Sequence, residues 1–328
     1  TTFALTTGTD LVFGTDKSDT ITGTQTTYTA SDIVADSSAI DNDTMTITAT
    51  DDITLTPTVI GIENVNLNLN AVTTPAGTAT VFNIDAANIA AGTLTSAVTK
   101  AGSTVVATTI TNVKSGMILA TALPTVVIAT VADADVTVNM TGASSAFSQT
   151  GTADTLIITS AGAFDVTGTS AVTAEEAITI TGESSVSFDD DTANAAGTAV
   201  AHTISAKGDI VIIDITDIGT LSATTTTGNI TLGATDNFIN GDITLSSAAG
   251  DVTVTNADDM GVGDTLTATA TGDGNADASA TAADGDITVT STGAETLILT
   301  ATGDINLDAA ETAKTITLSA GQASNIAD

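Results

Sequence analysis

Cysteine and tryptophan are absent from this chain of 328 residues, and aromatic residues make up only 2% of it. Without cysteine, the fold depends neither on disulfides nor on cysteine-ligated metals. Hydrophobic residues still account for 42% of the chain, largely as alanine, valine and isoleucine, so we expect a thin core of small and β-branched side chains. With only 13% charged residues, the composition is not that of a disordered protein.

Basic residues are also scarce, since five lysines and no arginine face 39 acidic residues and leave a net charge of −34. Such a chain repels phosphate backbones and anionic membranes, which argues against nucleic acid as a partner. Carboxylates crowded on turns would instead attract divalent cations, calcium above all. The alternative is that the acids only keep a threonine-rich β protein soluble.

Long apolar runs are missing as well. The longest, such as residues 124–131, have the length of a strand and fall short of the ~18 residues that span a bilayer, so we expect no membrane insertion. The start at Thr1 shows no signal-peptide pattern, from which we expect earlier processing or export without a classical signal.

The parts of a catalytic site are missing too, because the chain has no cysteine, no arginine and a single histidine. The carboxylate pairs Glu175-Glu176 and Asp258-Asp259 could serve glycoside chemistry. Sugar clefts are usually lined with tryptophan and tyrosine, however, and the only tyrosine is Tyr28. We therefore expect no enzyme activity. For His202 we expect a surface or turn position, since no second histidine completes a metal site.

The chain does contain a recurring phrase of five residues. It begins with glycine, continues with aspartate or asparagine, and ends with an apolar, a polar and an apolar residue. Its six copies begin at Gly208, Gly228, Gly241, Gly250, Gly285 and Gly303, and in the first of them Val211 stands at the polar position. Glycine followed by Asp or Asn suits a tight corner, and the alternation that follows is typical of a half-buried strand. Each copy therefore predicts a corner and the start of a strand.

The copies recur with a period of about 20 residues, as from Gly208 to Gly228 and from Gly285 to Gly303, which predicts an all-β, elongated, largely parallel β-solenoid with short strands. Modules of β-sandwich are the alternative, because strands about 8–12 residues apart suit that fold too. In the solenoid, one inward stack is expected. Its members are Ile210, Ile230, Ile243, Val252, Ile287 and Ile305.

Composition divides the chain into three segments, 1–70, 71–200 and 201–328, the last of which carries the solenoid repeats. Residues 82–89 could form a short helix or a strand and a corner. The acidic run that starts at Asp189 is expected to be a loop.

The first segment carries a resemblance to known proteins. Residues 14–23 resemble a degenerate calcium nonapeptide of RTX proteins, and residues 41–47 resemble the step that follows such a repeat. Residues 59–67 resemble a phrase common in bacterial S-layer and type I-secreted surface proteins. The resemblance implies an extracellular protein of the bacterial cell surface that depends on calcium and assembles into a layer or a filament. A full series of nonapeptides is missing, so it supports isolated turns rather than a calcium roll.

Carried over to this chain, the resemblance makes Asp16 and Asp19 calcium ligands in a first turn, and Asp41 and Asp43 in a second. The alternative is that each pair only caps its turn. A separate set has the alternate spacing of an EF-hand loop: Asp273, Asn275, Asp277 and Asp284. Because the glycine of an EF-hand is replaced by Ala278, an excursion between coils is the alternative there.

The function that we expect is therefore self-assembly, with other copies of the chain as the main partner and a cell-surface polysaccharide as a further anchor. The segment 1–25 is the candidate for docking on a neighbouring copy. A monomeric adhesin is the alternative. Ice binding is a third, because Thr-x-Thr recurs as at residues 46–48, although on irregular spacings.

Overall fold

The structure is a computed structural model in which almost every described element is a β-strand. The residues that it describes are 1–38, 40–50, 53–56, 58–70, 80–90, 92–97, 105–122, 125–142, 144–151, 153–166, 174–190, 200–215, 218–233, 241–255, 264–271, 287–289, 296–308, 315–320 and 324–327. They form two compact units, Thr1–Ile158 and Thr159–Asp328.

Where the structure describes it, the first unit consists of short strands and the 3₁₀ turn Ala86–Asn88. The strands are β1 Thr2–Ala4, β2 Leu11–Phe13, β3 Thr20–Thr24, β4 Ile33–Ala35, β5 Thr44–Ala49, β6 Ile53–Leu55, β7 Thr58–Ile60, β8 Asn64–Leu69, β9 Thr80–Asp85, β10 Ile89–Ala90, β11 Thr93–Ala97, β12 Val105–Val113, β13 Ile118–Thr121, β14 Thr125–Thr130, β15 Ala134–Met140 and β16 Ser144–Thr150; β17, Ala153–Ser160, crosses the boundary between the units.

Three parallel sheets build the first unit, and hydrogen-bonded neighbours come from successive coils. Sheet A has the order β1-β3-β5-β8-β11-β13-β15, sheet B the order β2-β4-β7-β10, and sheet C the order β6-β9-β12-β14-β16. The chain thus passes from one sheet to the next at each corner and returns to the first sheet one coil later.

The second unit follows the same plan with two parallel sheets. Its strands are β18 Ala163–Val166, β19 Ala174–Gly182, β20 Val186–Asp190, β21 Val200–Ala206, β22 Ile210–Ile215, β23 Ile218–Thr225, β24 Ile230–Leu232, β25 Ile243–Ser247, β26 Val252–Val254, β27 Thr265–Ala270, β28 Ile287–Val289, β29 Thr296–Ala301, β30 Ile305–Asp308, β31 Thr315–Ala320 and β32 Ser324–Ala327. Odd-numbered strands from β19 to β31 form sheet D, and even-numbered strands from β18 to β32 form sheet E.

The β-solenoid predicted from the sequence is confirmed. Every strand pairing that the structure describes is parallel and joins strands that are not consecutive in the chain, whereas a β-sandwich built of hairpins would pair consecutive antiparallel strands. Alternate residues of each strand point inward, as in β15 and β21, where every second side chain is buried. Residues 82–89 form a strand and a corner.

All six of the predicted inward residues are fully buried, but they form two stacks. Five of them share one register column of sheet E: Ile210, Ile230, Val252, Ile287 and Ile305. Ile243 instead lies in sheet D between Leu221 and Leu266. The phrase begins a strand on either side of the coil, so its copies are shared between opposite sheets.

The glycine corners bring successive coils into close contact. A Cβ atom at Gly228 would overlap the backbone of Gly208, and one at Gly250 would overlap that of Gly228. Glycine is therefore required at these corners by the approach of the neighbouring coil, because any side chain would force the coils apart.

Two sequence predictions are wrong. The loop predicted over 189–197 does not begin at Asp189, since β20 continues through Asp190 and pairs with β22 after a bulge, and residues 191–197 lie outside the described residues. His202 does not lie at the surface but is 1% exposed within β21. In addition, the segment 1–25 contains strands β1 to β3 of the solenoid itself, with β1 paired to β3.

Candidate metal centre

The candidate site lies at the corners that lead from sheet B to sheet A in the first unit. The residues that follow strands β2, β4 and β7 are Gly14, Asp36 and Gly61, and those that precede strands β3, β5 and β8 are Asp19, Asp43 and Glu63. Backbone hydrogen bonds stack these corners, as from Gly14 N to Ala35 O at 2.8 Å. The acids of neighbouring coils are therefore brought together.

Asp43 and Glu63 each accept a hydrogen bond from the backbone of the coil before them. Asp43 Oδ1 accepts from the backbone N–H of Asp19 at 2.8 Å, and Glu63 Oε2 accepts from that of Asp43 at 2.6 Å. The carboxylates thus form a ladder along the corner, and one oxygen of each rung is used by the neighbouring backbone.

Two groups of carboxylates meet at Asp43. The first contains Asp19, Asp36 and Asp43, and the second contains Asp41, Asp43 and Glu63. In each group, one oxygen from every residue lies within 4.8 Å of the others. Asp43 belongs to both groups, so acids from three coils meet around it.

Several oxygens of this set are buried without a hydrogen-bond partner. They are Asp36 Oδ2, both carboxylate oxygens of Asp41, and Asp43 Oδ2. Asp43 is 0% exposed, and a buried acceptor that lacks a donor costs free energy comparable to a lost hydrogen bond. The negative charge of these oxygens is uncompensated unless a positive group lies among them.

The charges of the site change its pKa values in opposite directions. Burial raises the pKa of the Asp43 carboxyl, and the nearby charges of Asp41, Asp36 and Glu63 add to that rise. The amino group of Thr1, 2.6 Å from Asp19 Oδ1, holds the pKa of Asp19 below its ordinary value. A divalent cation near Asp43 would favour its ionised form in the same way.

Two glycines leave room for Asp36. A Cβ atom built on Gly14 would lie 2.7 Å from Asp36 Cγ and 3.1 Å from Asp19 Oδ2. A side chain on Gly61 would overlap the Asp36 carbonyl oxygen, and Gly61 also has a φ of +71°, which favours glycine. The carboxylate of Asp36 occupies the space that a side chain at Gly14 would fill.

The donor set consists of carboxylate oxygens only. Such hard ligands suit calcium, which takes six to eight oxygens in flexible geometry, better than magnesium, which requires a strict octahedron, or zinc, which favours nitrogen and sulfur.

The residues predicted from the sequence are only partly brought together here. Asp19, Asp41 and Asp43 belong to the site, while Asp16 is exposed and lies outside both carboxylate groups found among the described residues. Asp36 and Glu63 were missed. The signal for Glu63 is its position one coil length after Asp43. The EF-like set of Asp273, Asn275, Asp277 and Asp284 lies outside the residues that the structure describes.

Corners of the second unit show how the same residue types act without charge crowding. Asp209 Oδ1 accepts from the N–H of Asn229 at 2.8 Å, and Asn229 Oδ1 accepts from that of Asp251 at 2.9 Å. An asparagine and an aspartate thus do the same work. Capping of the neighbouring coil explains these corners fully.

Comparisons with family models, with curated proteins and with solved structures found no match to this chain. Within the part of the chain that the structure describes, no helix has the length and apolar character needed to cross a membrane.

Proposed function

We propose that this chain is a structural protein of the bacterial cell surface whose copies assemble into a layer or a filament outside the cell, with calcium as the stabilising ion. Repeated parallel coils in both units support a scaffolding role. The acids gathered around Asp43 support calcium, and the resemblance of residues 1–70 to S-layer and RTX-like proteins supports the location.

One observation carries the assembly proposal: on a very acidic protein, the outward side of sheet D carries two files of side chains without charge. Two neighbouring files of side chains cross seven strands of sheet D and contain only threonine, serine and one isoleucine. The first file is Thr179, Thr203, Ser222, Thr244, Thr267, Ile298 and Thr317, and the second is Thr181, Ser205, Thr224, Ser246, Thr269, Thr300 and Ser319. A contact through these uncharged files brings fewer like charges together than a contact between acidic surfaces of copies with a net charge of −34.

Sheet B presents a second uncharged surface, and this one is apolar. Leu11 and Phe13 on β2 and Ile60 on β7, the two strands that flank β4, point outward and are 62%, 67% and 50% exposed. Exposed apolar side chains that cluster on one surface commonly mark a contact with another protein. A contact between copies through this surface would cover them.

Electron microscopy of the purified chain tests the proposal. Ordered sheets or fibres are expected in millimolar calcium. The double substitution Thr224→Glu and Thr300→Glu places charge on the second file and should prevent the ordered polymer, because copies would then meet through like charges.

The matched control is Thr226→Glu with Thr255→Glu, which adds the same charge at exposed positions outside the strands and should leave assembly intact. If the file variant assembles like the unaltered chain, the sheet D face is not the contact. A chain that stays monomeric but binds cells or glycans would be an adhesin instead.

Ice binding is a second candidate, favoured by the same files. The Thr-x-Thr copies are irregular along the sequence, but the threonine and serine side chains of the two sheet D files align in register between strands. Hydroxyls then repeat about every 4.8 Å between strands and about 6.6 Å along a strand, a two-dimensional order comparable to that of an ice surface. Inhibition of ice recrystallisation by the monomeric chain, lost in the Thr224→Glu and Thr300→Glu variant, would support this function over assembly.

A further inference from the structure

We infer that Asp19, Asp36, Asp41, Asp43 and Glu63 form one calcium centre that clamps three successive coils of the first unit, while the Gly-Asx corners of the second unit hold together without an ion. The inference rests on the calcium dependence proposed above, but not on assembly, since a monomer would hold the same ion.

Asp43 is the central ligand because no hydrogen-bond donor accounts for the burial of its second carboxylate oxygen. Its Oδ1 accepts from Asp19 N, whereas its Oδ2 is buried without a donor. Asp32 provides the comparison within the same unit, since it is equally buried but accepts from Asp10 N through Oδ1 and from Thr29 N through Oδ2. Burial of an acid alone therefore does not leave an oxygen unpaired at these corners.

The ligands come from three coils that are neighbours in sheet A. Asp19 immediately precedes β3, Asp43 precedes β5 and Glu63 precedes β8, and these strands pair in the order β3-β5-β8. Asp36 and Asp41 belong to the connection between β4 and β5. An ion bound by all five acids would tie this connection to the coil on either side.

Charge is essential to the clamp and dispensable at the other corners. Asn229 takes the place of an aspartate in the ladder from Asp209 to Asp251, so a neutral amide is sufficient there. Asp209 is also exposed and, like Asp242, lies outside both carboxylate groups identified among the described residues. The same substitution, aspartate to asparagine, should thus weaken calcium binding in the first unit and leave it unchanged in the second.

Calorimetric titration of the full chain with calcium chloride, at constant ionic strength, tests this difference. We expect Asp43→Asn to lower the calcium affinity of this centre by about tenfold or more, because ligand charge sets the affinity of such sites. Asp209→Asn should bind calcium like the unaltered chain. Magnesium chloride in place of calcium chloride should bind more weakly, since five carboxylates in a flexible corner do not impose an octahedron.

A second pair of variants alters the geometry and leaves the charge unchanged. Gly14→Ala places a methyl group against the Asp36 carboxylate, whereas the Cβ atom at Gly8 would have its nearest neighbour, Thr6 Oγ1, at 3.7 Å. Gly14→Ala should weaken calcium binding, and Gly8→Ala should not. This pair keeps the test valid if Asp43→Asn fails to fold.

Hydrogen exchange of the unaltered chain locates the clamp. Calcium should slow amide exchange in β5 and β8 of the first unit and leave β25 and β26 of the second unit unchanged at matched ionic strength. Equal protection of both units, or calcium binding by Asp43→Asn and Gly14→Ala that is as tight as that of the unaltered chain, would overturn the inference. If the unaltered chain binds calcium as expected but forms no ordered polymers, only the proposed assembly is contradicted.

Discussion

His202 is a neutral histidine in a hydrocarbon core. Its register neighbours in sheet D are Ile178 and Leu221, and its ring meets that of Phe188 edge to face, with centroids 5.8 Å apart. Neither ring nitrogen has a partner at hydrogen-bonding geometry. Burial lowers the pKa of His202 to about 4, and a backbone contact with Val200 opposes only part of that shift.

This burial predicts a loss of stability in mild acid. The folded pKa of about 4 lies below the ordinary value of 6.5, so the unfolded chain binds the extra proton first. The stabilisation is complete above about pH 6.5 and is lost as pH falls to about 4, where the loss amounts to about 3 kcal/mol. Urea unfolding of the unaltered chain and of His202→Leu at several pH values measures it.

The comparison between the two proteins isolates the histidine, because the carboxylates contribute equally to both. His202→Leu should gain stability relative to the unaltered chain as pH falls from 6.5 to 4. A difference between the two that stays constant over this range would mean that His202 takes up its proton without cost.

At the scale of single elements, the corners at Gly208, Gly228 and Gly250, which lead into strands β22, β24 and β26 of the second unit, pack against one another. Gly208, Gly228 and Gly250 stack so closely that the chain has no room for a Cβ atom on the latter two. The Asp209–Asn229–Asp251 ladder then joins the same corners through side-chain oxygens. The three-residue strands β24 and β26 thus gain side-chain hydrogen bonds at their corners in addition to their own backbone hydrogen bonds.

Gly228→Ala tests the importance of the corner packing. The added methyl group would overlap the backbone of Gly208, and we expect a loss of about 1–3 kcal/mol in the free energy of unfolding, as for other overpacked sites. Chemical denaturation measures this loss. Gly233→Ala is the control, because the nearest atom to its Cβ would be Ile212 O at 3.4 Å, an ordinary contact distance. Equal stability of the two variants would show that the corner can open without cost.

At the scale of the whole molecule, the large negative net charge dominates the electrostatics. With 39 acidic and five basic residues, the compact chain repels itself, and any cation in solution reduces that repulsion. A specific calcium site adds to this general effect only if the folded chain binds the ion and the unfolded chain does not. The two contributions are separated by comparing salts at equal ionic strength.

The melting temperature in sodium chloride should therefore rise with ionic strength. Calcium chloride at the same ionic strength should raise the melting temperature further. A calcium site stabilises the folded chain by about 2.7 kcal/mol when the free calcium concentration is a hundred times its dissociation constant. Chelator should remove the second increment and leave the first. If sodium chloride reproduced the whole effect of calcium, the acids would act only as a solubilising surface.

Much of this protein was determined by local sequence alone. Glycine followed by aspartate or asparagine marks a corner, and alternation marks a half-buried strand, so the parallel solenoid and the burial of Ile210, Ile230 and Ile305 follow from residues that are close in sequence. His202 obeys the same alternation with Val200 and Ile204, which are both buried. Its polarity pointed to the surface, but the position in the strand decided.

The tertiary structure alone decided which acids meet. Coils differ in length, so that the step along the chain from Asp19 to Asp43 is longer than the step from Asp43 to Glu63, and no fixed spacing connects the three acids. Asp36 stands in no motif, and it reaches the site because Gly14, on the preceding coil, leaves its space empty. A strand and its corner depend on neighbours along the chain, whereas a cluster of ligands depends on the register between coils, which is set by packing of the core.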